Sequence, residues 1–284
     1  MTRTRTGGMP LPWVLSADTL PRLRAGAGRL RERVLEHPDW TAIDIGYSLA
    51  VRRDADGCRA VVTGADRAEL LAGLAALEVG DTGPNVCIGR PARQRSTVFF
   101  VPAPRASDLL GVDRLAAEVP AFAGQLRRCS DLLSGHVGWD IADLVTSGST
   151  PRAPDALGPV GFAVQVALAR TWRCYGVVPD RVVGETGSAV ATEVIAGRLS
   201  AADAAALAAG SSAHPGTASR REAISDAGTV IEISPRPPSE CDEREPGANA
   251  FAYALSRAYV SGASVGWPAR FTGRWAMSVD LPQL

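Results

Sequence analysis

Five residues, Thr97-Val-Phe-Phe-Val101, constrain this chain most. The run is apolar and β-rich, and Pro102 and Pro104 end it, so it reads as a buried strand. Two shorter β-rich runs follow. Arg181-Val-Val183 leads into a turn, and Thr229-Val-Ile-Glu-Ile233 is stopped by Ser234-Pro235. Helical spacing fills the intervals at 113–133, 138–146, Val160–Tyr175, Ala189–Ile195 and Ala201–Ala209. The polar, Pro-containing stretches 147–159 and 236–247 read as loops. Short strands separated by helices predict an α/β fold.

The N-terminal part has the same character. Leu20, Leu23, Ala27, Leu30, Val34 and Leu35 recur at helical spacing with Arg between them. Ile43–Val51 fits a helix or a strand. Arg59–Thr63 is a short β-rich run, and Asp66 is placed to cap a helix over Arg67–Leu77. Residues 11–80 therefore read as a small α/β unit, and the Gly/Pro/Arg-rich stretch 81–95 as a linker. A C-terminal helix is predicted over Phe251–Tyr259. Beyond it the tail carries Trp267, Phe271 and Trp275, for which buried packing is expected.

Composition limits the partners. Thirty basic residues balance thirty acidic ones, and all the basic ones are Arg. A neutral chain argues against nucleic acid as the main partner, and one without Lys has neither Schiff-base chemistry nor a P-loop lysine. No apolar run approaches the length of about 18 residues that a membrane helix needs. Met1–Met9 lacks the apolar core of a secretory signal. The five cysteines are scattered and form no metal-ligand spacing. A cytoplasmic protein with reduced thiols, no metal and no cofactor is the expectation.

The segment Val182-Val-Gly-Glu-Thr-Gly-Ser188 carries the chemistry. A strand enters a sharp turn and a small-residue helix leaves it, the layout of a nucleophile elbow, in which a strained turn holds one side chain exposed. Thr186 would be that side chain. The plainer alternative is an ordinary strand–helix turn capped by Thr186 or Ser188. Of the three histidines, His37 stands at a helix end before Pro38, and His136 reads as a loop filler. His214, in Ser211-Ser-Ala-His-Pro215, is the one downstream of the turn among small polar residues.

These residues resemble a known arrangement. Pro12–Ala17, Asp44–Ala50 and Arg59–Gly64 resemble the ketosynthase–acyltransferase linker of type I modular polyketide synthases. Phe162–Leu168, Trp172–Val177, Val182–Gly184, Ala196–Gly197, Leu199–Ser200, Asp203 and Val230–Pro235 resemble the acyltransferase core, and Val279–Pro282 the end of the following linker. The resemblance implies an α/β-hydrolase-like acyltransferase large subdomain with a small α/β linker subdomain packed on it. Residues 1–10 would be a flexible N-terminus, 11–94 the linker-like subdomain, 95–246 the core and 247–284 a linker-like tail.

Against the family pattern Gly-His-Ser-x-Gly, this chain has Glu185 for the His, Thr186 for the nucleophilic Ser and Ser188 for the last Gly. Pro102-Ala-Pro-Arg105 replaces Pro-Gly-Gln-Gly, so Pro104 lacks both the Gln amide and a backbone N–H. Ser211 stands where the family's carboxylate-clamping arginine falls. The interval from Ser211 to Val230 is too short for the family's ferredoxin-like small subdomain, and His214 is the candidate remnant of the catalytic His. The resemblance thus implies a truncated, free-standing pseudo-acyltransferase.

Two functions follow from that reading. In the first, the uncovered cleft admits a substrate larger than malonate, and Glu185, Thr186 and His214 perform acid–base chemistry on a polyketide chain, such as ring closure to a pyrone or dehydration. Ser188, Ser211 and Arg105 would bind substrate, and burial would raise the pKa of Glu185 toward neutrality. In the second, the protein is a non-catalytic accessory that docks on a carrier protein or synthase module. The expected partners are a polyketide intermediate, free or carrier-bound, and a modular synthase, with no nucleic acid or membrane.

Overall fold

The computed structural model describes residues 8–52, 57–81, 83–91, 96–148, 156–210, 228–235 and 247–283. The chain divides into two compact units. One is built on Met9–Arg95, Tyr175–Val177 and Ala252–Leu284, the other on Ser96–Cys174 and Val178–Phe251.

In the first unit, β1 (Leu11–Ala17) is followed by α1 (Leu20–Glu36) and α2 (Ala42–Ala50), then β2 (Cys58–Gly64), α3 (Arg67–Val79) and β3 (Val86–Gly89). The three strands form an antiparallel sheet in the order β1-β2-β3, with Val14 opposite Val61 and Val61 opposite Cys87. The predicted α1 stripe is buried at Leu23, Ala27, Leu30 and Val34, whereas Leu35 lies in solvent. The ambiguous segment 43–51 is a helix because Thr41 and Asp44 cap its first turn reciprocally. Asp66 caps α3 as expected, accepting from Glu69 N–H at 2.9 Å. The stretch 81–95 is not merely a linker. Its Val86, Cys87 and Ile88 are short enough to be masked by the surrounding Gly and Pro, yet they complete the sheet.

The second unit opens with β4 (Thr97–Val101). Next come α4 (Val112–Glu118), α5 (Pro120–Val137), α6 (Ile141–Thr146) and α7 (Leu157–Cys174), then β5 (Arg181–Gly184), α8 (Ala189–Ile195), α9 (Ala201–Ala209) and β6 (Thr229–Glu232). Its three strands are parallel in the order β5-β4-β6, with Phe99 opposite Val182 and Ile231. Central β4 is buried along its whole length, as expected of a strand covered on both faces. Helix α7 is buried from Gly158 to Ala169, which marks a core helix rather than a surface one.

The predicted helix 113–133 breaks at Val119. The residue before Pro120 is held extended (φ −120°, ψ 90°), so α4 stops and Pro120 opens α5. His136 therefore sits, exposed, in the last turn of α5 rather than in a loop.

The last helix, α10 (Ala248–Ser261), crosses the division between the units. Beyond it, within the first unit, Trp267 and Phe271 are buried, and Trp267 packs edge-on to Tyr259 with ring centroids 5.4 Å apart. Trp275 departs from the expectation of burial and is fully exposed. The extended tail is held by backbone bonds instead. Met277 N–H donates to Asp44 Oδ1 at 2.7 Å, Val279 N–H to Ser48 Oγ at 2.8 Å, and Arg52 to the carbonyls of Leu281 and Pro282.

Candidate functional site

The site forms at the carboxyl ends of β4 and β5, where ligands bind in open parallel sheets. Pro102 ends β4, and Gln165 of α7 satisfies its buried carbonyl through Nε2 at 2.7 Å. On the neighbouring strand, Glu185 N–H donates to Val101 O at 3.0 Å. The chain then makes a single 3₁₀ turn, Thr186–Ser188, and enters α8.

Three contacts lock this turn. Ser188 Oγ lies 2.7 Å from Val101 O and 2.9 Å from Glu185 O. Thr192 Oγ1 donates to Ser188 O at 2.9 Å. Gly184 allows the close approach, since a Cβ there would fall 1.9 Å from Thr192 Oγ1. Among the described residues no non-glycine residue has a positive φ. Of the two readings of this segment, strained elbow and ordinary strand–helix turn, the second fits the relaxed backbone, and Thr186 is exposed on it.

Glu185 differs from the exposed acid–base group expected of it. It is half-buried, and its Oε2 accepts from Ala103 N–H at 2.8 Å, tying the β5–α8 turn to the loop after β4. Ser188, expected to bind substrate, is buried and committed to the turn. Arg105 is exposed, and its N–H donates to Asp108 Oδ2 at 3.1 Å. His214 and Ser211 lie outside the described residues.

A cleft of about 190 Å³ opens beside the turn. Thr186, Gly187 and Ser188 form one wall, Pro104 and Phe162 another, and Ala189, Ala191 and Ala208 contribute from α8 and α9. Neither Glu185 nor Arg105 is among the residues lining it, and its described lining carries no carboxylate, imidazole or guanidinium. Arg105 borders a separate crevice of about 10 Å³ shared with Pro104, Gly161 and Pro235. Sequence reasoning did not assign Gln165 and Phe162 to the site. Gln165 could have been found as the one polar side chain within the apolar run 160–169. Among the described residues no cluster of three metal-ligating side chains occurs, and no helix is long and apolar enough to cross a membrane.

A parallel sheet with a turn and cleft at its carboxyl edge defines an open α/β ligand-binding or catalytic unit. Residues 111–237 match the acyl transferase domain family. Polyketide synthase GfsA of Streptomyces halstedii is 41% identical over 201 residues, covering 69% of this chain and 3% of that protein. Erythronolide synthase EryA3 of Saccharopolyspora erythraea is 36% identical over 199 residues, covering 70% of this chain and 6% of that protein. The chain thus spans only a small part of these curated relatives. The acyltransferase domain from module 8 of the salinomycin polyketide synthase superposes with a TM-score of 0.63 at 33% identity, covering 70% of this chain and 49% of that one. The acyl transferase domain of ZmaA shares the fold, with a TM-score of 0.75 over 98% of this chain and all of that one at 12% identity. By sequence the chain is similar to the acyltransferase regions of modular polyketide synthases, and it shares the fold of their solved acyltransferase domains.

Proposed function

We propose that this acyltransferase-like domain forms no acyl-enzyme and serves a polyketide synthase as a binding and positioning unit, a pseudo-acyltransferase. One observation carries the reading. The only exposed hydroxyl at the turn, Thr186, faces a cleft whose described lining carries no titratable side chain, and the adjacent Glu185, whose carboxylate accepts from Ala103 N–H, is not part of that lining. Pro104, at the family's Gln position, also offers no N–H to a developing oxyanion. A polyketide intermediate, free or on a carrier protein, is the partner this reading implies, in a cytoplasmic setting. The acid–base alternative needs a titratable group in the cleft and rests on His214.

The test is incubation with malonyl-CoA, methylmalonyl-CoA and a carrier-tethered polyketide mimic, with intact-mass and product analysis. Binding without a covalent adduct or turnover is expected. An adduct on Thr186 would refute the proposal, and a cyclised or dehydrated product would replace it with the acid–base reading.

A further inference from the structure

We infer that the extended tail over residues 274–280 is a pairing edge for a second copy of this chain, the two strands running antiparallel about Met277. The inference is independent of the cleft beside Thr186 and of any chemistry there.

The backbone supplies the edge. Asp44 and Ser48 stand one turn apart on α2 and accept the N–H groups of Met277 and Val279. Four helical residues rise about 6 Å. Two strand residues span roughly 6.6–6.8 Å, so the tail matches the helix in extended form. In an extended chain the N–H and C=O groups of successive residues face opposite edges. Met277 and Val279 turn theirs toward α2, so Ala276 and Ser278 turn theirs away. Among the described residues the backbone groups of Ala276 and Ser278 make no hydrogen bond. Such an open edge is a template on which another strand adds.

The side chains identify the strand that fits. The segment reads Arg274-Trp-Ala-Met-Ser-Val-Asp280 and complements itself when reversed. In antiparallel register about Met277, Arg274 faces Asp280 of the second copy, Trp275 faces its Val279, Ala276 faces its Ser278, and Met277 faces its own equivalent. Trp275, Met277 and Val279 share one face, and Trp275 is fully exposed and Met277 72% exposed. Opposite charges and an aromatic paired with a β-branched residue are favourable cross-strand partners, whereas like charges are not. Parallel pairing in the same register would set Arg274 against Arg274, so charge selects the antiparallel arrangement. Asp280 also lies near Arg52, but that guanidinium donates to the carbonyls of Leu281 and Pro282, and Asp280 is exposed.

Backbone and side chains agree on one register. The outward groups belong to Ala276 and Ser278, the two residues that face each other across the pair. They can therefore exchange both N–H to C=O bonds, and Met277 falls on the two-fold axis at a non-hydrogen-bonded position, where side chains approach most closely. The two-fold repeats each contact and closes the assembly at a dimer.

Sedimentation velocity on the intact chain is the test, under reducing conditions because Cys174 is exposed. A ribbon this short lies below the size of a standard interface, so loadings from about 5 to about 500 µM bracket the dissociation constant on the order of 100 µM expected of it. The parent should pass from monomer toward dimer across that range. Arg274→Asp and Asp280→Arg each set like charges against one another at both ends of the ribbon, and each should weaken pairing at least about tenfold. Mixed in equal amounts, the two variants regain an opposite pair at each end and should dimerise with one another as the parent does with itself. Ser278→Pro removes an outward N–H and keeps Met277 extended, so it should abolish pairing while the bonds to α2 remain. Unchanged protease resistance of residues 272–283 verifies that those bonds are kept. A parent that stays monomeric at the highest loading, a single variant that pairs like the parent, or a charge-swapped mixture no more dimeric than its components would overturn the inference.

Discussion

Removing the Glu185 carboxylate should destabilise the protein, although the family pattern places this residue beside the nucleophile. Its Oε2 accepts from Ala103 N–H at 2.8 Å, and Ala103 is only 5% exposed. A buried donor left unmade costs about 1–3 kcal/mol, and water reaches this half-buried carboxylate side enough to favour the lower half, about 1.5 kcal/mol for Glu185→Ala. Glu185→Gln keeps an acceptor oxygen and exchanges a charge-assisted bond for a neutral one about half as strong, a loss of about 0.5 kcal/mol. For a chain of this size each kcal/mol moves Tm by roughly 2–4 °C. Thermal unfolding followed by circular dichroism should therefore show falls of about 3–6 °C for Ala and about 1–2 °C for Gln. A purely chemical role predicts the same near-zero shift for both. Glu185→Ala melting within about 1 °C of the parent would refute the assignment of Glu185 as a strut and return it to the candidates for acid–base chemistry.

Gly184→Ala places a Cβ 1.9 Å from Thr192 Oγ1 and should cost about 1–3 kcal/mol in urea unfolding. The double variant with Thr192→Ala should recover at least about 1 kcal/mol of that, and strict additivity would show that the two positions are not in contact. Asp44 supplies a pH signature. Burial pushes its carboxyl up, but bonds from Met277 N–H and from the hydroxyl and N–H of Thr41 outweigh this and hold it below the ordinary value of 3.8. Its contribution is present above pH 3.8 and is lost as pH falls below that value. Asp44→Asn should flatten the acid limb of the stability curve and expose residues 272–283 to protease at neutral pH. An unchanged limb would mean that the Asp44–Met277 bond does not hold the tail.

The strands at 97–101, 181–184 and 229–232 were legible because each is an apolar run closed by a turn, Pro or Gly, which local sequence displays. Strand β3 was not, since four residues inside a Gly/Pro stretch become a strand only through pairing with β2. The break at Val119–Pro120 was readable from the restriction that proline places on its predecessor. Trp275 looked like core by residue type alone, but its segment is fixed through backbone donors and carbonyls, which impose no burial on the side chain. At the site, sequence located the turn but not the direction of its carboxylate, because the partner Ala103 is 82 residues away.

That distance also bears on how the site's chemistry came to differ. Pro104 is not an isolated replacement. A Cβ on Gly161 would lie 2.4 Å from Pro104 Cβ, so the proline ring occupies space on α7 that Gly161 leaves open. Glu185 fastens the same loop one residue earlier, at Ala103. The loop after β4, the turn after β5 and α7 thus hold one another through residues that would have to change together. Thr186→Ser alone would supply a less hindered hydroxyl but neither a base nor an oxyanion donor. Pro104→Gln alone would restore a donor while removing the ring that fits against Gly161. Each of these single substitutions would therefore change one part of the site's chemistry at a cost in packing, which is what the proposed binding role calls for.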